Sequence, residues 1–188
     1  MTAAKIEKKA LRTYFLNKRK EFDPGKKKDA DIMICSAIRR LPEYKSADRV
    51  LVYSPIRNEI DLRILLEYMK EDGKSSLFPR CFGEKMRFAD TSYDRLQSGS
   101  YGILEPSVDA KYVDSFASTD ICILPCLCAD RRGYRLGYGG GYYDRFLADF
   151  PGIKIIAVYS DFVVDECISE CFDIAADIVV TEKESLRI

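Results

Sequence analysis

Four short runs of unbroken apolar residues constrain this chain most: Val50-Leu51-Val52-Tyr53, Ile121-Cys122-Ile123-Leu124, Ile155-Ile156-Ala157-Val158-Tyr159 and Ile178-Val179-Val180. Each is too short for a core helix, and none alternates apolar with polar residues, so each predicts a strand covered on both faces. Helical spacing fills the gaps. Ile6, Ala10, Leu11 and Tyr14 predict a helix over residues 4–22, ended by Asp23-Pro24-Gly25, and Ile34, Ala37, Ile38 and Leu41 mark a second. Asp61 is placed to cap a third helix carrying Leu62, Leu65, Leu66 and Met69, and Tyr142 to Phe150 predicts a fourth. Short strands are expected at Ser76–Pro79 and Met86–Ala89, with irregular chain over 90–119 and a last strand at Asp177–Thr181. Strand–helix alternation of this kind implies a three-layer α/β fold, Rossmann-like, with a mostly parallel central sheet and helices on both faces. Residues 1–188 read as one domain.

Ligands of such sheets sit beyond the carboxyl ends of the strands. After the strand at 121–125 comes Arg131-Arg132-Gly133-Tyr134-Arg135-Leu136-Gly137-Tyr138-Gly139-Gly140-Gly141-Tyr142-Tyr143-Asp144, with five of the chain's eleven glycines in nine residues. Glycine leaves main-chain N–H groups uncovered and admits positive φ, expected here at Gly140. Successive bare N–H groups form a concave anion site. The P-loop pattern fails, because no Gly is followed by Lys and then Ser or Thr; the dinucleotide fingerprint fails because Tyr142 stands where its last Gly would be. A plain surface linker is the alternative, although linkers favour Ser over Arg, Tyr and Asp.

With no histidine, Ser-His-Asp, Cys-His and HExxH chemistry are excluded, which leaves reactions that depend on positioning and charge, phosphoryl transfer among them. Lys plus Arg and Asp plus Glu balance at 30 each, so no global field favours nucleic acid or a membrane. Residues 1–30 hold ten Lys and Arg against four Asp and Glu, either a basic helix facing an anionic ligand or a solvated face. Cys35, Cys81, Cys122, Cys126, Cys128, Cys167 and Cys171 are odd in number and contain no CxxC, so free thiols acting as small buried hydrophobes are expected; Cys126, Cys128, Cys167 and Cys171 leave zinc as a minor alternative. The first residues lack an apolar signal core, and the longest apolar stretch, Ile121 to Ala129, is short and broken by Pro125, so a cytoplasmic protein with no membrane span is expected.

Arg135 to Asp144 resembles the signature of the 5-formyltetrahydrofolate cyclo-ligase family, also called 5,10-methenyltetrahydrofolate synthetases. Four weaker matches follow the family's order: Lys8-Lys9-Ala10-Leu11-Arg12, Asn58-Glu59-Ile60-Asp61, Phe78-Pro79-Arg80 with Met86, and Tyr101-Gly102-Ile103-Leu104-Glu105-Pro106. Where the family often shows Pro and then Glu-x-His-Asp, this chain has Ile168-Ser169-Glu170-Cys171-Phe172-Asp173, which keeps the Asp but not the Pro or the His. Cys128-Ala129-Asp130 likewise lacks a usual aromatic before its Asp.

The resemblance implies conversion of 5-formyltetrahydrofolate and ATP to 5,10-methenyltetrahydrofolate, ADP and phosphate, with Mg²⁺. It places ATP against Lys8, Arg12 and the run Arg135, Leu136, Gly137, Tyr138, Gly139, Gly140, Gly141, Tyr142 and Tyr143. Lys8 and Arg12 share one helical face, and the Arg135 fork suits two phosphate oxygens. It places the folate against Ser54, Glu59, Arg80 and Tyr138 to Tyr142, with Arg135 and Tyr142 at the reacting groups. Asp144 and Asp173 become Mg²⁺ ligands. Bare of the resemblance, Glu59 reads equally as an exposed loop acid and Asp144 as a helix-start carboxylate. A silent nucleotide- or folate-binding relative is the rival reading, and an RNA-binding N-terminal helix a weaker one. Small-molecule substrates, no nucleic acid, no membrane and a monomer are expected.

Overall fold

The computed structural model describes residues 3–99 and 102–188, so Tyr101 of the matched segment lies outside the described residues. Seven strands form the main sheet: β1 (Arg49–Leu51), β2 (Ser75–Phe82), β3 (Lys85–Asp90), β6 (Ile121–Leu124), β9 (Ile153–Ala157), β11 (Ile178–Val180) and β12 (Ser185–Arg187), in the order β12-β11-β9-β6-β1-β2-β3. The five inner strands are parallel, and β3 and β12 close the edges antiparallel. Helices α1 (Ala3–Lys20), α2 (Pro24–Arg40), α3 (Pro42–Ser46), α4 (Arg63–Glu71) and α5 (Tyr142–Leu147) surround it. The four apolar runs of the sequence supply β1, β6, β9 and β11, and their residues form one continuous core. No helix among the described residues is long and apolar enough to cross a membrane.

The order of crossovers sets the position of the site. β1 reaches β2 through α4, moving one way along the sheet, while β6 reaches β9 through α5, moving the other way. Right-handed crossovers put those helices on opposite faces and open a crevice where the direction reverses, outside the carboxyl ends of β1 and β6.

Several expectations are corrected. Asp23-Pro24-Gly25 both ends α1 and starts α2, whose Lys26 N–H is capped by the Asp23 carboxylate at 2.8 Å. Leu62, not Asp61, is the cap of α4; the Asp61 side chain accepts the Arg63 N–H instead. α5 stops at Leu147 rather than Phe150, because Pro151 pulls the preceding residue away from helical geometry. Residues 90–119 are not wholly irregular: they hold a 3₁₀ turn at Tyr93–Arg95 and a hairpin of β4 (Gln97–Ser98) and β5 (Leu104–Glu105). A further strand, β12, follows Asp177–Thr181, where the sequence predicts the last one. The glycine run does not leave β6 directly, since a small second sheet intervenes, made of β7 (Cys128–Asp130), β8 (Arg135–Leu136) and β10 (Val163–Val164). Five cysteines are buried as expected, but Cys81 is half-buried and Cys171 exposed.

Candidate active site

The chain leaving β1 turns sharply through Arg57 and Asn58, both at positive φ (48° and 59°). Such a conformation costs a non-glycine residue about 1–2 kcal/mol, and here it is pinned: the Asn58 amide donates to the Arg19 carbonyl at 3.2 Å, and the Glu59 N–H to Ile56 at 2.9 Å. The turn drives Glu59 inward to 4% exposure, which removes the loop-acid reading. Glu59 Oε2 accepts the Ile56 N–H at 2.9 Å, whereas Oε1 is buried without a partner. Burial pushes the Glu59 carboxyl above its ordinary value, against the opposing pull of Ile56 N–H, Tyr138 and the Arg19 and Arg57 guanidiniums. Tyr138 lies near enough to act on that charge, yet no hydrogen bond to Oε1 forms. Burial and then the Glu59 charge hold the Tyr138 hydroxyl protonated far above neutral pH. Ser54 is buried just beyond β1.

Arg19 is the residue sequence reasoning missed. It lies on α1 at 3% exposure, donates from Nη2 to the Cys126 and Leu127 carbonyls at 2.7 and 3.1 Å and from Nη1 to the Tyr138 hydroxyl at 3.5 Å, and leaves Nε unpartnered. It thus clamps the chain beyond β6 to the Glu59 side of the crevice. In sequence it is one more cation of a basic stripe, with nothing to single it out. Asp130 was missed likewise: fully buried, it accepts the N–H groups of Arg132, Tyr134 and Cys167 and so builds the turn before the glycines.

The phosphate side assembles around the glycine loop. Arg12 Nε donates to the Gly137 carbonyl at 2.9 Å, and the Arg145 guanidinium donates to the Gly140 carbonyl at 3.0 Å. Tyr142 donates to the Gly83 carbonyl at 3.1 Å, seating the loop on the β2–β3 turn. Positive φ occurs at Gly139 (97°) and Gly141 (66°), not at Gly140 as the sequence implied. Leu136 is core and offers the site only its main chain; Tyr143 packs against the core, and burial raises its hydroxyl pKa strongly. Lys8 is buried rather than solvated, donating to Asp173 at 2.7 Å and Glu170 at 2.8 Å. Burial works to lower its pKa, but those two bonds outweigh it and the net shift is upward. Arg135 donates to Asp144 Oδ1 and to the Ile174 carbonyl, both at 2.8 Å. Arg80 is tied elsewhere, to the Pro106 carbonyl at 2.6 Å and the Glu105 carboxylate at 3.7 Å.

The backbone next to Asp173 reaches Asp144, since the Ile174 N–H donates to Asp144 Oδ1 at 3.4 Å. All partners of Asp144 fall on Oδ1 and all those of Asp173 on Oδ2, leaving one hard carboxylate oxygen on each. That donor set fits Mg²⁺, which takes one or two carboxylates and completes its shell with phosphate and water. Among the described residues no group of three or more His, Cys, Asp or Glu is disposed to hold a metal.

A groove of about 530 Å³ lies elsewhere, between α2 and the β11–β12 turn, with Met33, Arg40 and Lys183 on its walls. It contains neither Glu59 Oε1 nor Arg19 Nε, the buried polar atoms without partners among the described residues, nor the strained turn at Arg57 and Asn58; these lie at the switch point, which is accordingly the candidate site.

An α/β sheet with a cation-lined glycine loop at its switch point is built as enzymes of this architecture are, with bare main-chain N–H groups where their ligands sit. The chain belongs to the 5-formyltetrahydrofolate cyclo-ligase family, whose profile matches residues 4–182. It is 28% identical over 63% of its length to a probable 5-formyltetrahydrofolate cyclo-ligase of Schizosaccharomyces pombe, of which the match spans 61%. It is 26% identical to the 5-formyltetrahydrofolate cyclo-ligase of Escherichia coli, covering 87% of this chain and 94% of that one. The NMR structure of Aquifex aeolicus 5,10-methenyltetrahydrofolate synthetase superposes with a TM-score of 0.84 at 32% identity, over 96% of this chain and 92% of the other.

Proposed function

We propose that this protein converts 5-formyltetrahydrofolate to 5,10-methenyltetrahydrofolate at the expense of ATP, as one domain and one active subunit, in a reducing cytoplasm where its free thiols persist. The observation that carries the reading is the buried, unpartnered Glu59 Oε1 beside Tyr138 of the glycine loop. A carboxylate oxygen without a donor is matched by the amino and ring N–H groups of a pterin. The chemical difficulty is that the formyl oxygen is a poor leaving group. It attacks the γ-phosphorus of ATP, the bond to ADP breaks, and the formyl oxygen then carries a phosphate. N10 attacks the formyl carbon, the carbon–oxygen bond breaks, and the N10 proton leaves on the released phosphate. The residues need supply no nucleophile and no histidine; they hold the two substrates in line and neutralise charge.

In this reading Lys8, Arg12 and Arg135 take the phosphates together with main-chain N–H groups from Arg135 to Tyr143. Glu59, Ser54 and Tyr138 hold the pterin, Arg80 borders the folate pocket, and Tyr142 lies where the two substrates meet. Asp144 and Asp173 would hold Mg²⁺, which when bound supplies positive charge to the phosphoryl group in transfer. Retention of both carboxylates favours an enzyme over a silent binder. The test is a continuous absorbance assay for the methenyl product with ADP measured in parallel. Product should form only with ATP and Mg²⁺ present and match ADP one for one; folate and nucleotide binding without product would leave the silent relative.

A further inference from the structure

On the phosphate side the cations and the carboxylates are bonded to each other. Lys8 lies 2.7 Å from Asp173 and 2.8 Å from Glu170, and Arg135 lies 2.8 Å from Asp144. Both cations are nearly buried, at 8% and 5% side-chain exposure. Lys8 and Arg135 thus face Asp144, Glu170 and Asp173, two cations against three carboxylates. Three of these pairings join a group assigned to phosphate with one assigned to Mg²⁺ or, in the case of Glu170, with one assigned to nothing. Glu170 belongs to the same turn as Asp173: its N–H donates to Asp173 Oδ2 at 2.8 Å, and its carbonyl accepts the Asp173 N–H at 3.0 Å.

Resting on the ATP reading above, we infer that Glu170 is a positioning residue that acts through Lys8, holding it away from phosphate until nucleotide and Mg²⁺ arrive together. Free ATP that draws Lys8 and Arg135 onto its phosphates strips three carboxylates of their partners and sets them beside a polyanion. Such like-charge crowding opposes binding. Asp144 and Asp173 would hold Mg²⁺ in place of the departing cations, so the exchange would cost little when both arrive. Glu170 has no such replacement, and its competition for Lys8 is the residual barrier that makes the site choose the metal complex.

The experiment is calorimetric binding of ATP without folate, so that no turnover occurs, in excess chelator and in excess Mg²⁺. Wild type should bind ATP at least about tenfold more weakly in chelator, the like-charge penalty of three unpaired carboxylates at partial screening. Glu170→Gln should bind chelated ATP about threefold more tightly than wild type, a partly exposed pair being worth that order, and the preference for Mg²⁺ should shrink. Glu170→Ala removes the same charge with another shape and must move the same way. Lost packing lowers affinity, so a gain marks release of Lys8. Equal or weaker binding of chelated ATP by both variants overturns the inference while ATP binding itself stands. No ATP binding by wild type in either buffer overturns the nucleotide reading and this inference with it.

Discussion

The two walls of the crevice manage charge in opposite ways. On the glycine-loop wall Lys8, Arg12 and Arg135 all have partners, and the carboxylates that Lys8 and Arg135 meet are partly exposed. On the Glu59 wall, Glu59 Oε1 and Arg19 Nε are buried without a hydrogen-bond partner among the described residues. A buried polar atom left unsatisfied costs about 1–3 kcal/mol, a strain the second wall keeps in the ligand-free protein and the first avoids. The lesson is one of timing. Under the proposed function the glycine-loop wall must rearrange its bonds to bind phosphate, whereas the Glu59 wall is already formed and gains its missing bond from the pterin.

The largest effect expected from breaking this contrast is at Asp144. Asp144→Asn keeps the shape but removes a hard anionic ligand, so turnover should fall about a hundredfold or more, with partial recovery at high Mg²⁺. Because Arg135 also loses its ion-pair partner, chemical denaturation should show a stability loss of about 1–3 kcal/mol. Full activity with the stability loss would reduce Asp144 to a partner for Arg135.

Glu59→Gln comes next. The loss of one charged acceptor should raise the folate KM by about 10- to 100-fold, or roughly 1.5–3 kcal/mol, with the ATP KM little changed. It also carries a pH signature. The folded Glu59 pKa lies above its ordinary 4.5, so its contribution favours the folded state fully below that value and is lost as pH rises through the folded pKa. Wild type should therefore lose stability relative to Glu59→Gln over that window. Folate binding to the ionised form should release a fraction of a proton at mildly acidic pH, read as a buffer-dependent heat of binding that the variant lacks. An unchanged proton count would remove Glu59 from the folate.

Gly139 and Gly137 give a smaller, paired effect. A Cβ at Gly139 would sit 3.1 Å from the Arg12 guanidinium carbon at φ 97°, whereas one at Gly137 meets nothing within 4 Å. Gly139→Ala should weaken ATP binding about tenfold, the positive-φ penalty being about 1–2 kcal/mol; Gly137→Ala should leave it within about twofold, a surface change being worth about 0.5 kcal/mol or less. Titration calorimetry with MgATP would read both, and equal losses would mean the loop responds to bulk rather than to its contact with Arg12.

Much of this was legible in the chain. Unbroken β-branched runs can only be strands covered on both sides, so β1, β6, β9 and β11 stood out, and the glycine run marked one wall of the crevice. The hairpin β7–β8 did not, because Cys128-Ala129-Asp130 and Arg135-Leu136 are too short to show a period; the Asp130 side chain organises them. β12 is a three-residue edge strand with one half-buried residue, below any pattern threshold. The positive φ of Gly139 and Gly141 rather than Gly140 depends on how the loop meets Arg12 and Arg145, which no local rule carries. The inward turn of Glu59 depends on Asn58 reaching the Arg19 carbonyl across the fold, and the burial of Arg19 on the Cys126 and Leu127 carbonyls is likewise a tertiary fact.

The central claim is that the two walls bring the formyl oxygen of one substrate onto the γ-phosphorus of the other. Substrate labelled with oxygen-18 in the formyl group tests it in a single turnover, with mass analysis of the released phosphate. The account predicts one labelled oxygen in each phosphate formed. Label found in water, with unlabelled phosphate, would contradict it.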